Sequence, residues 1–188
     1  TLFRSSQTKA NTKTSSDVMV PGITGLNDGG FVIAWQGAAQ PGVEGYAVYA
    51  QRFNSDGSFY SNEFQCNSYK AQVPPRPYAA NLADGGYTIV WESDKTEDGV
   101  YTIGVVGVRY REDNTPFKSE FQAFSIGYAN ELEPAIAELS EERFVITWGT
   151  PSNVAVYMGR FCLENSQCIE PERSFCADAG ICMNCNFD

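Results

Sequence analysis

The chain has no histidine and only three methionines in its 188 residues. Without His, Ser–His and Cys–His nucleophile systems are excluded, and so are His-based metal centres. Basic residues are also scarce. Lys and Arg number 13 against 23 Asp and Glu, a net charge of −10. Nucleic-acid binders draw affinity from Lys and Arg on phosphates, so nucleic acid is not an expected partner. Long apolar runs are missing too. The longest reach about five to seven residues, against about 20 for a spanning helix, so no membrane insertion is expected. No charged-then-apolar leader opens the sequence. The expectation is a secreted chain from which any signal peptide has been removed.

Aromatic residues make up 13% and Gly contributes 17 residues, a mix that favours strands and tight turns. One phrase occurs three times. It reads Pro21, Leu26, Asp28-Gly29-Gly30, Phe31-Val32-Ile33-Ala34-Trp35, then Pro77, Leu82, Asp84-Gly85-Gly86, Tyr87-Thr88-Ile89-Val90-Trp91, then Pro134, Leu139, Phe144-Val145-Ile146-Thr147-Trp148. The Trp residues are 56 and then 57 positions apart. A period of this size marks a repeat architecture.

Each repeat parses as four strands. Strand A runs from the Pro to the Leu. Asp-Gly supplies the positive-φ positions of a hairpin turn. Strand B follows as Phe31–Gln36 and Tyr87–Glu92, and alternation places Phe31, Ile33 and Trp35 on one face. Gly37–Glu44 and Ser93–Gly99 read as polar loops. Strand C ends in Arg52-Phe53, Arg109-Tyr110 and Arg160-Phe161. Strand D carries Glu63-Phe64-Gln65 and Glu120-Phe121-Gln122. In the third copy strand D is displaced, and Ser174-Phe175-Cys176 is its candidate. The expected divisions are 1–18 (terminal strand and Ser/Thr-rich linker), 19–73, 74–130, a partial repeat at 131–161, and a Cys-rich segment at 162–188.

Cys66, Cys162, Cys168, Cys176, Cys182 and Cys185 are even in number, and five cluster near the C-terminus, as in a disulfide framework. Zinc at Cys182-x-x-Cys185 is the rival reading, and connectivity stays open. Leu2-Phe3-Arg4-Ser5-Ser6 looks like a strand D with no A, B or C of its own. It reads either as a frayed end or as a donated strand that completes the third repeat, in the same chain or in the next copy. Gln7–Ser16 is Ser/Thr-rich and suits O-linked sugar; no N-linked sequon is present.

Recurring Trp35, Trp91 and Trp148 are expected to form the repeat core. Among Tyr46, Tyr49, Tyr60, Tyr69, Tyr78, Tyr101 and Tyr110, some are expected to form an exposed stacking surface for glycans. Arg52, Arg109 and Arg160 are expected to pair with a carboxylate of their own repeat, such as Glu63 or Glu120. Asp94, Glu97 and Asp98 form the preferred calcium ligand set, since hard oxygen donors suit Ca²⁺. Glu131, Glu133, Glu138, Glu141 and Glu142 are dense enough to notice, and they read as solvated surface rather than a glycosidase pair.

The phrases L-x-D-G-G-F/Y-x-I/V-x-W, Y-x-V-Y-x-Q-R-F and E-F-Q, over residues 19–161, resemble a tandem β-repeat of large secreted or surface proteins. These include bacterial adhesin and RTX-like proteins and ciliate surface proteins. The Cys-rich tail resembles the opening of a module found in such proteins. The resemblance implies four-stranded propeller-blade-like units, roles in adhesion and surface structure, and no catalytic residues.

The sequence therefore leads to an all-β fold of three tandem four-stranded antiparallel units with a disulfide-rich C-terminal segment. Three units are too few for an ordinary closed propeller. They stack as an open array, close like a trefoil or prism, or join copies head to tail. The expected function is that of a non-catalytic extracellular or cell-surface structural protein, with itself as partner. The alternative is a glycan-binding adhesin with calcium. No other cofactor is expected.

Overall fold

The computed structural model describes residues 9–12, 18–38, 45–69, 71–97, 100–126, 132–139, 143–150, 153–161, 175–176 and 181–183. The chain is all-β, and no helix occurs among the described residues. The first sheet is a meander of β1 (Met19–Gly25), β2 (Phe31–Ala38), β3 (Tyr46–Phe53) and β4 (Phe64–Gln65). The second repeats it with β5 (Tyr78–Asn81), β6 (Tyr87–Glu97), β7 (Val100–Tyr110) and β8 (Phe121–Ile126). The third holds β9 (Ala135–Glu138), β10 (Arg143–Gly149) and β11 (Val154–Phe161), flanked by β12 (Phe175–Cys176) and β13 (Ile181–Met183) in the order β12-β13-β11-β10-β9. All pairings are antiparallel.

The A–B turns explain why the strands start where they do. Leu26 N–H donates to Gly30 O at 2.8 Å, and Gly29 N–H to Leu26 O at 3.0 Å. Gly29 sits at φ +82° and Gly85 at +86°, a region that disfavours a Cβ. A Cβ on Gly30 or Gly86 would collide with the carbonyl oxygen of Phe53 or Tyr110 on the neighbouring strand. The third turn closes with the same bond, Leu139 N–H to Arg143 O at 2.7 Å.

The three sheets lie in a row. β1 packs beside β5, and β5 beside β9. Alternation along strand B sorts each sheet's two faces. Val32 and Ala34 of the first sheet meet Tyr87, Ile89 and Trp91 of the second, with Val48, Ala50, Cys66, Val108 and Tyr110 in the same core. Val90 and Leu82 of the second sheet meet Phe144, Ile146 and Trp148 of the third, with Ile103, Val105, Phe121 and Leu132. Each junction therefore sets an aromatic–Ile–Trp row against the small or β-branched row of the preceding sheet. Burying each such large side chain stabilises by about 1.5–3 kcal/mol.

Two sequence expectations are corrected here. Ser93–Glu97, expected in a polar loop over Ser93–Gly99, is strand: β6 continues to Glu97 and β7 begins at Val100, paired in register from Glu97↔Val100 to Tyr87↔Tyr110. The polar stretch is held as strand by its partner, the apolar end of β7 at Val100–Gly104. In the third sheet, Phe175–Cys176 does not lie against strand C. β13 does, at Arg160↔Cys182 and Phe161↔Ile181, and β12 is outside it.

Candidate assembly site

Within a unit, one Asp ties the A–B turn to the end of strand C. Asp28 Oδ1 accepts from Gly30 N–H at 2.8 Å, and its Oδ2 takes Arg52 Nη2 at 2.7 Å. Asp84 repeats this with Gly86 N–H at 3.0 Å and with Arg109. The Gly30 N–H first, then Arg52, holds the Asp28 carboxyl below its usual range. Arg52 also lies over the Tyr60 ring at 4.0 Å and donates across the junction to Glu112 O. Arg52 and Arg109 thus pair with a carboxylate of their own repeat, as expected, but it is the Asp of the A–B turn rather than Glu63 or Glu120. The two strand-D glutamates bond elsewhere.

Glu63 Oε2 accepts from Thr12 N–H at 2.8 Å and from Thr12 Oγ1 at 3.0 Å. Glu120 accepts from Ser68 N–H. Asn11-Thr12 stands as far before Pro21 as Asn67-Ser68 stands before Pro77. Ser68 belongs to the segment that leaves the first unit's strand D and crosses to the second unit. Thr12 therefore contacts the first unit as the tail of a preceding unit would. Sequence reasoning missed this pair, although the Asn-Ser/Thr spacing carried the signal.

Further joints link neighbouring units. Asn27 Nδ2 donates to Leu82 O at 3.1 Å, Asn81 Nδ2 to Asn27 Oδ1 at 2.8 Å, and Ala83 N–H to Glu138 Oε1 at 2.7 Å. Glu133 pairs with Arg76. Two members of the acidic cluster are thus joints between units; Glu131, Glu141 and Glu142 lie outside the described residues.

The third sheet differs at its outer edge. Aligned on the strand-C Arg, its Val154–Met158 corresponds to Ile103–Gly107, along which β8 pairs with β7. In the first sheet β4 pairs at Tyr49 and Ala50. On β11 the outer partner β13 reaches only Arg160 and Phe161. Among the described residues, no strand lies along Val154–Met158 on that side. The outward face there is apolar: Val154, Val156 and Met158 are 76%, 60% and 49% exposed. Thr147 and Val145 of β10 pair with Val156 and Met158 and share this face.

The other residues singled out from sequence are placed as follows. Trp91 is buried between the first and second sheets and Trp148 between the second and third. Trp35 is buried with Ala47 and Tyr49 on the first sheet's opposite face. Asp94 is buried in β6, and its Oδ1 accepts from Gln72 N–H at 2.8 Å. The Glu97 side chain and Asp98 lie outside the described residues, and among those described no group of three His, Cys, Asp or Glu is placed to hold a metal.

Cys66 is corrected from a disulfide partner to a free thiol, buried in the core between the first two sheets, where burial pushes its pKa up to about 12. Leu2–Ser6, Cys162, Cys168 and Cys185 lie outside the described residues; Cys176 and Cys182 are described only as backbone, paired across β12 and β13. Tyr49 and Tyr110 are buried and leave the expected glycan surface, while Tyr60, Tyr69 and Tyr78 are exposed.

No family model matches the chain, and neither a curated protein nor a solved structure does.

Proposed function

We propose that this is a non-catalytic extracellular structural protein that assembles head to tail, with one copy's N-terminal strand completing the third sheet of the next. One observation carries the reading. Among the described residues no strand lies along the outer edge of the third sheet at Val154–Met158, where its siblings carry strand D, and Thr12 enters the first unit as the tail of a preceding strand D would. An unpaired edge offers backbone donors and acceptors to an incoming strand. A contact between two different surfaces that does not close makes a filament. The recurring Asp and Arg residues are occupied in turns and clamps, which fits a framework better than a reaction centre.

The test is negative-stain microscopy of the non-reduced protein beside a variant lacking residues 1–8. Regular fibres in the first and dispersed, folded particles in the second support strand donation. Fibres of equal length from the truncated chain refute it. Dissolution of the fibres by EDTA would add calcium to the junction.

A further inference from the structure

The outward face of the third sheet continues a series. Val145 and Thr147 occupy the register of Val32 and Ala34 in the first sheet and of Thr88 and Val90 in the second. Both earlier faces are covered by the following unit's aromatic–Ile–Trp row: Tyr87, Ile89 and Trp91 on the first, and Phe144, Ile146 and Trp148 on the second. The third face carries the same kind of row. Its strand-C residues Val154, Val156 and Met158 are open to solvent, whereas Val48 and Ala50 of the first sheet are fully buried. The chain also contains the complementary surface. Phe31, Ile33 and Trp35 form the first sheet's copy of the docking row, and they point away from the second sheet. Ile23, paired with Ile33 on that face, is 65% exposed.

We infer that the third sheet's apolar face docks the first sheet of a second copy, repeating between chains the sheet-on-sheet junction found twice within one. Trp35 and Tyr49 are already buried, so the incoming contact falls on Ile23, Phe31 and Ile33. The placement of Thr12 agrees with this direction. Thr12 meets Glu63 as Ser68, in the tail of the first unit, meets Glu120 of the second. The contact is heterologous, each copy offering a different face at each end. This inference rests on the self-assembly reading and adds a face-to-face junction distinct from the donated strand.

The experiment is sedimentation velocity across a concentration series on the full chain, Val156→Glu, Ile23→Glu, an equimolar mixture of the two, and the chain lacking residues 1–8. Both substituted positions are exposed, and near-UV circular dichroism checks that each variant is folded. Val154→Lys stands in if Val156→Glu is not. The expected result is association weakened at least tenfold in each single variant. Their mixture forms dimers and stops there, because only one productive junction can form. Val156→Glu associating like the parent overturns the inference, and loss of association in the truncated chain alone would then leave strand donation standing. Loss with Val156→Glu but not with Ile23→Glu also overturns it, because the face would then be pairing with itself. Parent protein that sediments as a monomer throughout overturns both the inference and the reading beneath it.

Discussion

Asp28 holds a turn and a neighbouring strand at once, because one oxygen serves the Gly30 N–H and the other the Arg52 guanidinium. Arg52 is 1% exposed, so removal of its partner leaves a desolvated cation. Its carboxylate partner is 38% exposed, and water screens part of that loss. Asp28→Asn is expected to cost about 1–2 kcal/mol at pH 7 in urea denaturation. The Asp28 pKa is lowered on folding, so its contribution is complete above the unfolded carboxylate value and is lost as pH falls through the folded one. Parent and variant should therefore converge in stability as pH falls through the lowered folded value of Asp28. A constant gap from pH 7 to pH 2 would mean that the ionised form is not what matters.

Cys66 gives a second residue-scale expectation. Burial raises its pKa to about 12, and both accessibility and thiolate content are low. Iodoacetamide at pH 8 should leave the Cys66 peptide unmodified in the native protein and label it fully in denaturant. Rapid native labelling would contradict the core placement.

The D-G-G hairpin was fully legible in sequence, since positive φ and a cross-strand carbonyl leave Gly as the residue that fits. Gly86→Ala should destabilise by about 1–3 kcal/mol, because the added methyl meets Tyr110 O, a backbone atom that cannot turn aside. Equilibrium denaturation reads this directly, and a neutral result would mean that the turn tolerates a different closure. Strand B was equally legible from its alternation, and burial follows that alternation in β10, where Phe144, Ile146 and Trp148 are buried and their neighbours are not.

The long β6–β7 hairpin was not legible. Ser93, Asp94, Lys95 and Glu97 have little hydrophobic signal of their own, and their strand character comes from pairing with Val100–Gly104. Asp94 looked like a metal ligand by residue type, yet it bonds the backbone at Gln72 and Val73. A lone carboxylate in a sequence does not reveal which N–H groups the fold brings to it. The outer edge of the third sheet was half legible: the displaced third strand D announced it, but the apolar face at Val154, Val156 and Met158 stands out only once the two internal junctions are seen.

At the scale of the molecule, three sheets touch in sequence through two junctions, each with its own core. In such an array stability is roughly a sum of unit and nearest-neighbour terms, so damage should stay local. Trp148 lies in the second junction and Trp91 in the first. Truncating a buried Trp costs about 3–5 kcal/mol through lost contacts and the cavity left behind. In Trp148→Ala that loss falls on the third sheet and on the face of the second that meets it. Hydrogen exchange reports opening segment by segment. The expected pattern is faster exchange in β9–β11 with β1–β3 still protected. Trp91→Ala should instead loosen β2 and β3 together with β6 and β7, because the middle sheet then keeps only one intact neighbour. Equal loss of protection in all three sheets for Trp148→Ala would mean that the row unfolds as one cooperative body. The same units could not then be treated as interchangeable modules that extend across a junction between copies.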